Sequence, residues 1–323
     1  MSHRTTAIVP ALTTTMAVES GRLTEAIKAA QGGDLGALRR ARVASRRLRE
    51  LLAIVEAADP DVPAHRARRQ LRAVTRALGP MRELDVARAE LDAAARRRRW
   101  PDERLAPLRR ALGKEHWRRS EALSEWMDEF DSKRLARVLV KTSRGLDDAT
   151  GDAVWQRAIA ARVLDRVRAV HSAASACGTL YAPDRLHEMR IATKKLRYVL
   201  ELGRKAARLD VAVAIRALKR TQRRYGQLHD IQVLLRLVAQ AAVSGRGTAL
   251  RVAAAIVTDA LERDCRELHA AALRDSAALA DLLQGVRRTL ADAAMTSRRP
   301  AGATSVRRQG GAAPVRRPAS LAS

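Results

Sequence analysis

Counting about 100° per residue along the segment that begins near Asp184 places His187, Arg190, Lys194, Arg197 and Glu201 within an arc of about 80°. Met189, Ala192, Leu196, Val199 and Leu200 fall on the opposite side, so a helix here has one apolar seam and one cationic stripe. A second stretch repeats the arrangement, with Arg39, Arg42, Arg46 and Arg49 on the stripe and Ala41, Ala44, Leu48, Leu51 and Leu52 on the core side. Cations stacked this way suit anion binding. The guanidinium fork matches phosphate oxygens two at a time, and lysine adds a mobile point charge. Like charges three and four residues apart repel by roughly 0.2–0.5 kcal/mol per pair in an isolated helix. A chain that keeps them in both stretches tolerates that repulsion, which points to a polyanion as the ligand.

The segment following each stretch does the same. His65, Arg68, Arg69, Arg72 and Arg76 lie on one side of Leu71, Val74 and Leu78, and Arg216, Lys219, Arg220 and Arg223 oppose Ile215, Leu218 and Tyr225. Catalysis finds less support. His229-Asp230 is a single pair without further ligands at metal spacing, and packing or hydrogen bonding is the expected role. His187 has no nucleophile fixed beside it; Glu188 points off the stripe, and Glu201 is placed to orient a stripe arginine. Cys177 and Cys265 lack the spacing of a zinc site, and neither phosphate-cradling glycine motif occurs. The expectation is a binding protein rather than an enzyme, with no catalytic residue, metal or cofactor.

The elements that must position these stripes are helices. Ala, Leu, Arg and Glu dominate, and apolar positions recur at three and four residues almost throughout, so the fold class is all-α. Breaks are expected at Gly32-Gly33-Asp34, at 59–63, at Gly79-Pro80, at Trp100-Pro101, at 145–151, at 178–183, at Gly203 and at 245–247, giving about ten helices. Trp100, Trp117, Trp126 and Trp155 are expected to anchor the core or the junction between lobes. An internal repeat is visible as well. Arg42-Val-Ala-Ser-Arg-Arg-Leu-Arg49 aligns with Arg190-Ile-Ala-Thr-Lys-Lys-Leu-Arg197 at an offset of 148, and 78–86 aligns with 225–233 at an offset of 147. The expected organisation is a frayed leader over 1–20, duplicated helical lobes over 21–150 and 151–292, and a disordered basic tail over 293–323 carrying three Arg-Arg pairs and no acid after Thr296.

Composition bounds the partner. Of 323 residues, 62 are basic and 35 acidic, a formal charge of +27, and excess of this size speaks to association with polyanions. Aromatics are only 2%, which weighs against base-stacking readers of single strands and leaves non-specific nucleic-acid binding as the second choice. No apolar run approaches the roughly 18 residues of a membrane span. Two cysteines and no asparagine fit a reducing cytoplasm better than a secreted, glycosylated domain.

The order and spacing of Leu186-His-Glu-Met-Arg190-Ile-Ala-Thr-Lys194-Lys-Leu-Arg197-Tyr198, followed by 222–230 with Gly226 and His229-Asp230, resemble the CHAD family, the conserved histidine α-helical domain. Arg42 to Arg49, Leu78-Gly79 and 82–86 resemble that family's N-terminal half. The resemblance implies a two-lobed helical fold whose basic groove binds inorganic polyphosphate, in some members on polyphosphate granules. Carried over, the binding role falls on His187, Arg190, Lys194, Arg197, Lys219, Arg223 and His229, and on Arg42, Arg46, Arg49, Arg72 and Arg76. Arg39 stands where the family usually has histidine and is assigned to the site as well, so a permanently charged residue is expected to bind where relatives carry a titratable one. The triphosphate-tunnel domain that often accompanies the family has an alternating Glu-x-Glu-x-Lys strand; no such segment occurs, and a stand-alone binding protein is expected. A metal-dependent polyphosphate-processing enzyme is the remaining alternative, for which no carboxylate cluster is apparent.

Overall fold

The computed structural model describes residues 8–146, 151–245 and 247–298, which form ten helices and no strand. They are α1 (Ile8–Gln31), α2 (Leu35–Ala58), α3 (Ala64–Arg98), α4 (Asp102–Glu129), α5 (Ser132–Arg144), α6 (Asp152–Cys177), α7 (Pro183–Ala206), α8 (Ala212–Ser244), α9 (Thr248–Arg274) and α10 (Ser276–Arg298). Most turns fall where the sequence placed them. Gly33, at φ +88°, releases the chain from α1, and Asp34 caps α2 by accepting from the Ala37 amide at 3.2 Å. Pro183 opens α7 at a position where its missing N–H is not needed.

Two expected breaks are not breaks. Gly79-Pro80 lies inside the 35-residue α3, because Pro80 faces solvent while Leu78, Met81 and Leu84 on either side of it are buried and hold the helix to its neighbours. Gly203 lies three residues before the end of α7, and its role is close packing: a Cβ there would stand 2.8 Å from Leu209 Cδ1 and 3.4 Å from Ile159 Cγ2. The expected frayed leader is also corrected over 8–20. Ile8, Val9, Leu12 and Met16 share one face of α1 and are buried, and the Ile8 amide donates to Asp152 Oδ1 at the start of α6 at 3.0 Å. Tertiary burial of that face orders a stretch whose composition alone reads as a loose end. At the other end α10 continues through 293–298; the remainder of the expected tail lies outside the described residues.

The apolar interior forms two clusters that do not divide at residue 150. The larger gathers α1, α2, the first half of α3, α5, α6, most of α7, the start of α8 and α10. The second gathers the last half of α3, the first half of α4, Leu186 of α7, the last half of α8 and α9, while Met127 at the end of α4 belongs to the larger cluster. The two longest helices, α3 and α8, run through both clusters and pack on each other, so each expected unit contributes to each cluster. Within the larger one Trp155 is fully buried, and Trp126 stacks on Phe130 at 4.6 Å at its margin. Trp117 is 63% exposed and anchors nothing, a departure from the sequence expectation. Trp155→Ala removes the largest buried side chain and is expected to cost about 3–5 kcal/mol, read as a large fall in thermal midpoint; a fall of only a degree or two would mean the core closes over the gap.

Candidate anion-binding site

The helices α2 and α7 pack against each other, with α3 against α2 and α8 against α7. Polar contacts at these seams repeat: Ser45 and Thr75 share a 2.7 Å hydroxyl hydrogen bond between α2 and α3, while Gln222 Nε2 of α8 donates to the Thr193 carbonyl of α7 at 2.8 Å. These seams turn one stripe of each of α2 and α7 towards the same space. Arg42 and Arg46 enter it from α2; His187, Arg190 and Lys194 from α7; Arg82 and Glu83 from α3; and His229, Asp230 and Arg236 from α8.

Backbone geometry makes the approach possible. Arg42 donates to the Leu78 carbonyl at 3.2 Å, and Gly79 leaves the gap it uses, since a Cβ there would stand 3.4 Å from the same guanidinium nitrogen. Burial, helped by Arg46, Arg190 and Arg82, pulls Arg42 down to about 10. Lys194 is affected more. Burial first, then Arg190 and Arg46, hold its ammonium down to about 6 despite Asp230. His187 and His229 approach Nδ1 to Nδ1 at 3.1 Å, and this contact is a hydrogen bond only when one of the two nitrogens is unprotonated. Burial and Arg190 lower both imidazoles, His229 to about 2.

Acids do not neutralise the group. Arg190 meets Asp230 only at 3.9 Å, and its Nε is enclosed with no acceptor. Burial lowers Arg190 and raises Asp230, so for both partners desolvation outweighs so long an ion pair. Glu83 is already engaged by Arg236 at 2.7 Å. The result is half-buried positive charge gathered from four helices, an arrangement that is costly when empty and well matched to an anion of several charges. One end opens into a cavity of about 730 Å³ whose wall includes His187, His229, Tyr181 and Cys265.

The predicted residues therefore separate. Arg42, Arg46, His187, Arg190, Lys194 and His229 come together. Arg49 continues the row beyond Arg46 towards Arg72 and Arg68. Arg197 turns away: it donates from Nε to Gln222 Oε1 at 2.8 Å, pairs with Glu201 and lies over the Tyr198 ring at 4.6 Å. Glu201 thus does orient a stripe arginine, and it also accepts from Arg47 at 3.1 Å. Lys219 lines a separate cavity of about 430 Å³ with Arg47, Tyr198 and Glu201. Arg39, Arg76 and Arg223 are exposed on their helices. Reasoning from single helices missed Arg82 and Arg236, which face the cluster from α3 and α8, although Arg82 stood inside the repeated block.

The family model of the CHAD domain matches residues 21–239 of this chain. Among solved structures, the crystal structure of the CHAD domain from the plant Ricinus communis is similar at 22% identity with a TM-score of 0.58, covering 88% of this chain and 92% of that chain. That likeness speaks to the fold, in line with the all-α architecture. No curated protein matches the chain. With the family model covering more than half of its length, the chain belongs to the CHAD domain family.

Proposed function

We propose that this protein binds inorganic polyphosphate in the space between α2, α3, α7 and α8. The observation that carries the reading is the convergence of Arg42, Arg46, Arg190 and Lys194 there, half-buried, with Asp230, 3.9 Å from Arg190, the one carboxylate within 4 Å of any of them among the described residues. A phosphate chain offers about one negative charge per unit and no sequence to read, so binding needs only charge and spacing. Guanidinium forks from α2 and α7 contact successive phosphates, and Lys194 follows the chain between them. Nothing in this role requires turnover. Association with polyphosphate granules, in cells that store the polymer, follows from the same contacts.

The test is titration of labelled long-chain polyphosphate across a salt series with single-stranded DNA as competitor. With about six phosphates neutralised, counterion release sets a log–log slope near −4 to −5, so affinity falls about a thousandfold between 50 and 200 mM salt. DNA at equal phosphate concentration is expected to compete poorly. Equal competition would turn the reading into non-specific nucleic-acid binding, and steady phosphate release with Mg²⁺ or Mn²⁺ would turn it into an enzyme.

A further inference from the structure

The row of cations does not end at Arg49. Its guanidinium lies among those of Arg46, Arg72 and Arg68, and Arg68 in turn faces Arg162 and Arg166 of α6. Lys195, the residue after Lys194, points to this second group rather than to the first, facing Arg166, Arg162 and Arg49. A single buried carboxylate sits at the centre. Glu50 accepts from Arg162 Nε at 3.0 Å and from Arg166 Nε at 3.0 Å and Nη2 at 2.8 Å. Glu56 engages Arg68 at the edge. Arg49, Arg68, Arg72, Arg162, Arg166 and Lys195, from α2, α3, α6 and α7, thus share two carboxylates, and Arg49 Nε is enclosed without an acceptor.

The matching place on the other side of the α2–α7 pair holds two carboxylates of its own. Arg47 holds the position in the repeat that Lys195 holds in the second copy, but it meets two carboxylates, Glu19 of α1 at 3.1 Å and Glu201 of α7 at 3.1 Å. Glu19 also accepts from Arg22 at 2.8 Å, and Glu201 pairs with Arg197, so both carboxylates on that side are closed by arginines.

We propose that Arg162, Arg166 and Lys195 form a second phosphate subsite on the α6 side, and that Glu50 is the built-in anion which a passing phosphate displaces from the two arginines. This rests on the polyphosphate reading above and adds a direction: the chain runs from the His187–His229 end, past Arg46 and Arg49, and out beside α6. Two guanidinium groups that now share one carboxylate can rotate to a phosphate's several oxygens without movement of the helices, since both arginines keep 16–19% of their side-chain surface exposed.

Glu50→Gln tests this, because it keeps the shape while removing the competing charge. Affinity for long-chain polyphosphate is expected to rise about tenfold at fixed salt. A triple variant, Glu50→Gln with Arg162→Gln and Arg166→Gln, removes both arginines together with the carboxylate they share and is expected to bind about tenfold more weakly than wild type, with a shallower salt slope by one to two. Circular dichroism and a thermal melt confirm that each variant is folded. If folded Glu50→Gln binds no more tightly, or the triple variant binds like wild type, Glu50 and its arginines only clamp α2 to α6 and the subsite is refuted. Failure of wild type to bind polyphosphate at all would instead remove the reading on which the subsite rests. Should Glu50→Gln not fold, the triple variant decides alone.

Discussion

Alanine at both Arg190 and Lys194 is expected to lower affinity for long-chain polyphosphate by two to four orders of magnitude. Each loses a charge-assisted contact of about 1.5–3 kcal/mol, and both lie where water competes least. The fold should survive. The one carboxylate near Arg190 lies 3.9 Å away, and Lys194 is held largely uncharged in the free protein at neutral pH, so truncation removes one weakly paired buried charge and the thermal midpoint is expected to hold or rise. Exposed Arg39→Ala and Arg223→Ala serve as controls, each changing affinity by about threefold or less through the salt-dependent field alone. Arg197→Ala gives the complementary result. It removes the brace between Gln222 and Glu201 and costs stability more than binding. A double variant that binds within a few-fold of wild type would show that the cluster between α2 and α7 is not the site.

Binding is also expected to take up a proton, most of it at Lys194. Arg42 and Arg46 of α2 and Arg190 of α7 face this ammonium, with Asp230 and His229 of α8, and burial with these cations holds it down to about 6 from 10.5. Between those values the unfolded chain carries the proton and the folded chain does not. Stability of the free protein therefore rises as pH climbs through that window, and below about 6 the full cost of the buried charge is present. A bound phosphate chain raises the group again, so affinity falls as pH rises above about 6, by at most tenfold per unit. Calorimetric titration at pH 8 in buffers of differing ionisation enthalpy is expected to show close to one proton taken up per site. Lys194→Arg retains binding but loses the uptake, because a guanidinium stays charged throughout. Equal uptake in wild type and Lys194→Arg would assign the proton elsewhere.

Much of this was legible before any coordinates. Composition and a three-to-four residue apolar period are local properties of the chain, and they suffice for an all-α chain of about ten helices and for many of their ends, since Gly33, Asp34 and Pro183 act through their own backbone chemistry; the turns at Phe130-Asp131 and Asp275, which carry no glycine or proline, were not expected. The repeated block was legible too, and with it Arg42, Arg46, Arg190 and Lys194, because a stripe on one helix follows from spacing alone. The errors share a cause. Pro80 within α3, the ordered start of α1 and the exposed Trp117 were each decided by what packs against them, which residue identity does not contain.

Tertiary structure alone decided which stripe residues work together. A single helix cannot reveal that Arg197 is spent on Glu201 and Gln222, that Arg82 and Arg236 face the same space from α3 and α8, or that Glu50 sits between two arginines of α6 more than a hundred residues away. Charge is written in the sequence residue by residue, but its cost depends on how much water and which counter-charges remain after helices close over it. The sequence determined that this protein is a basic helical bundle with a repeated cationic stripe. Packing determined where that charge is left unpaired, and so where an anion has most to offer.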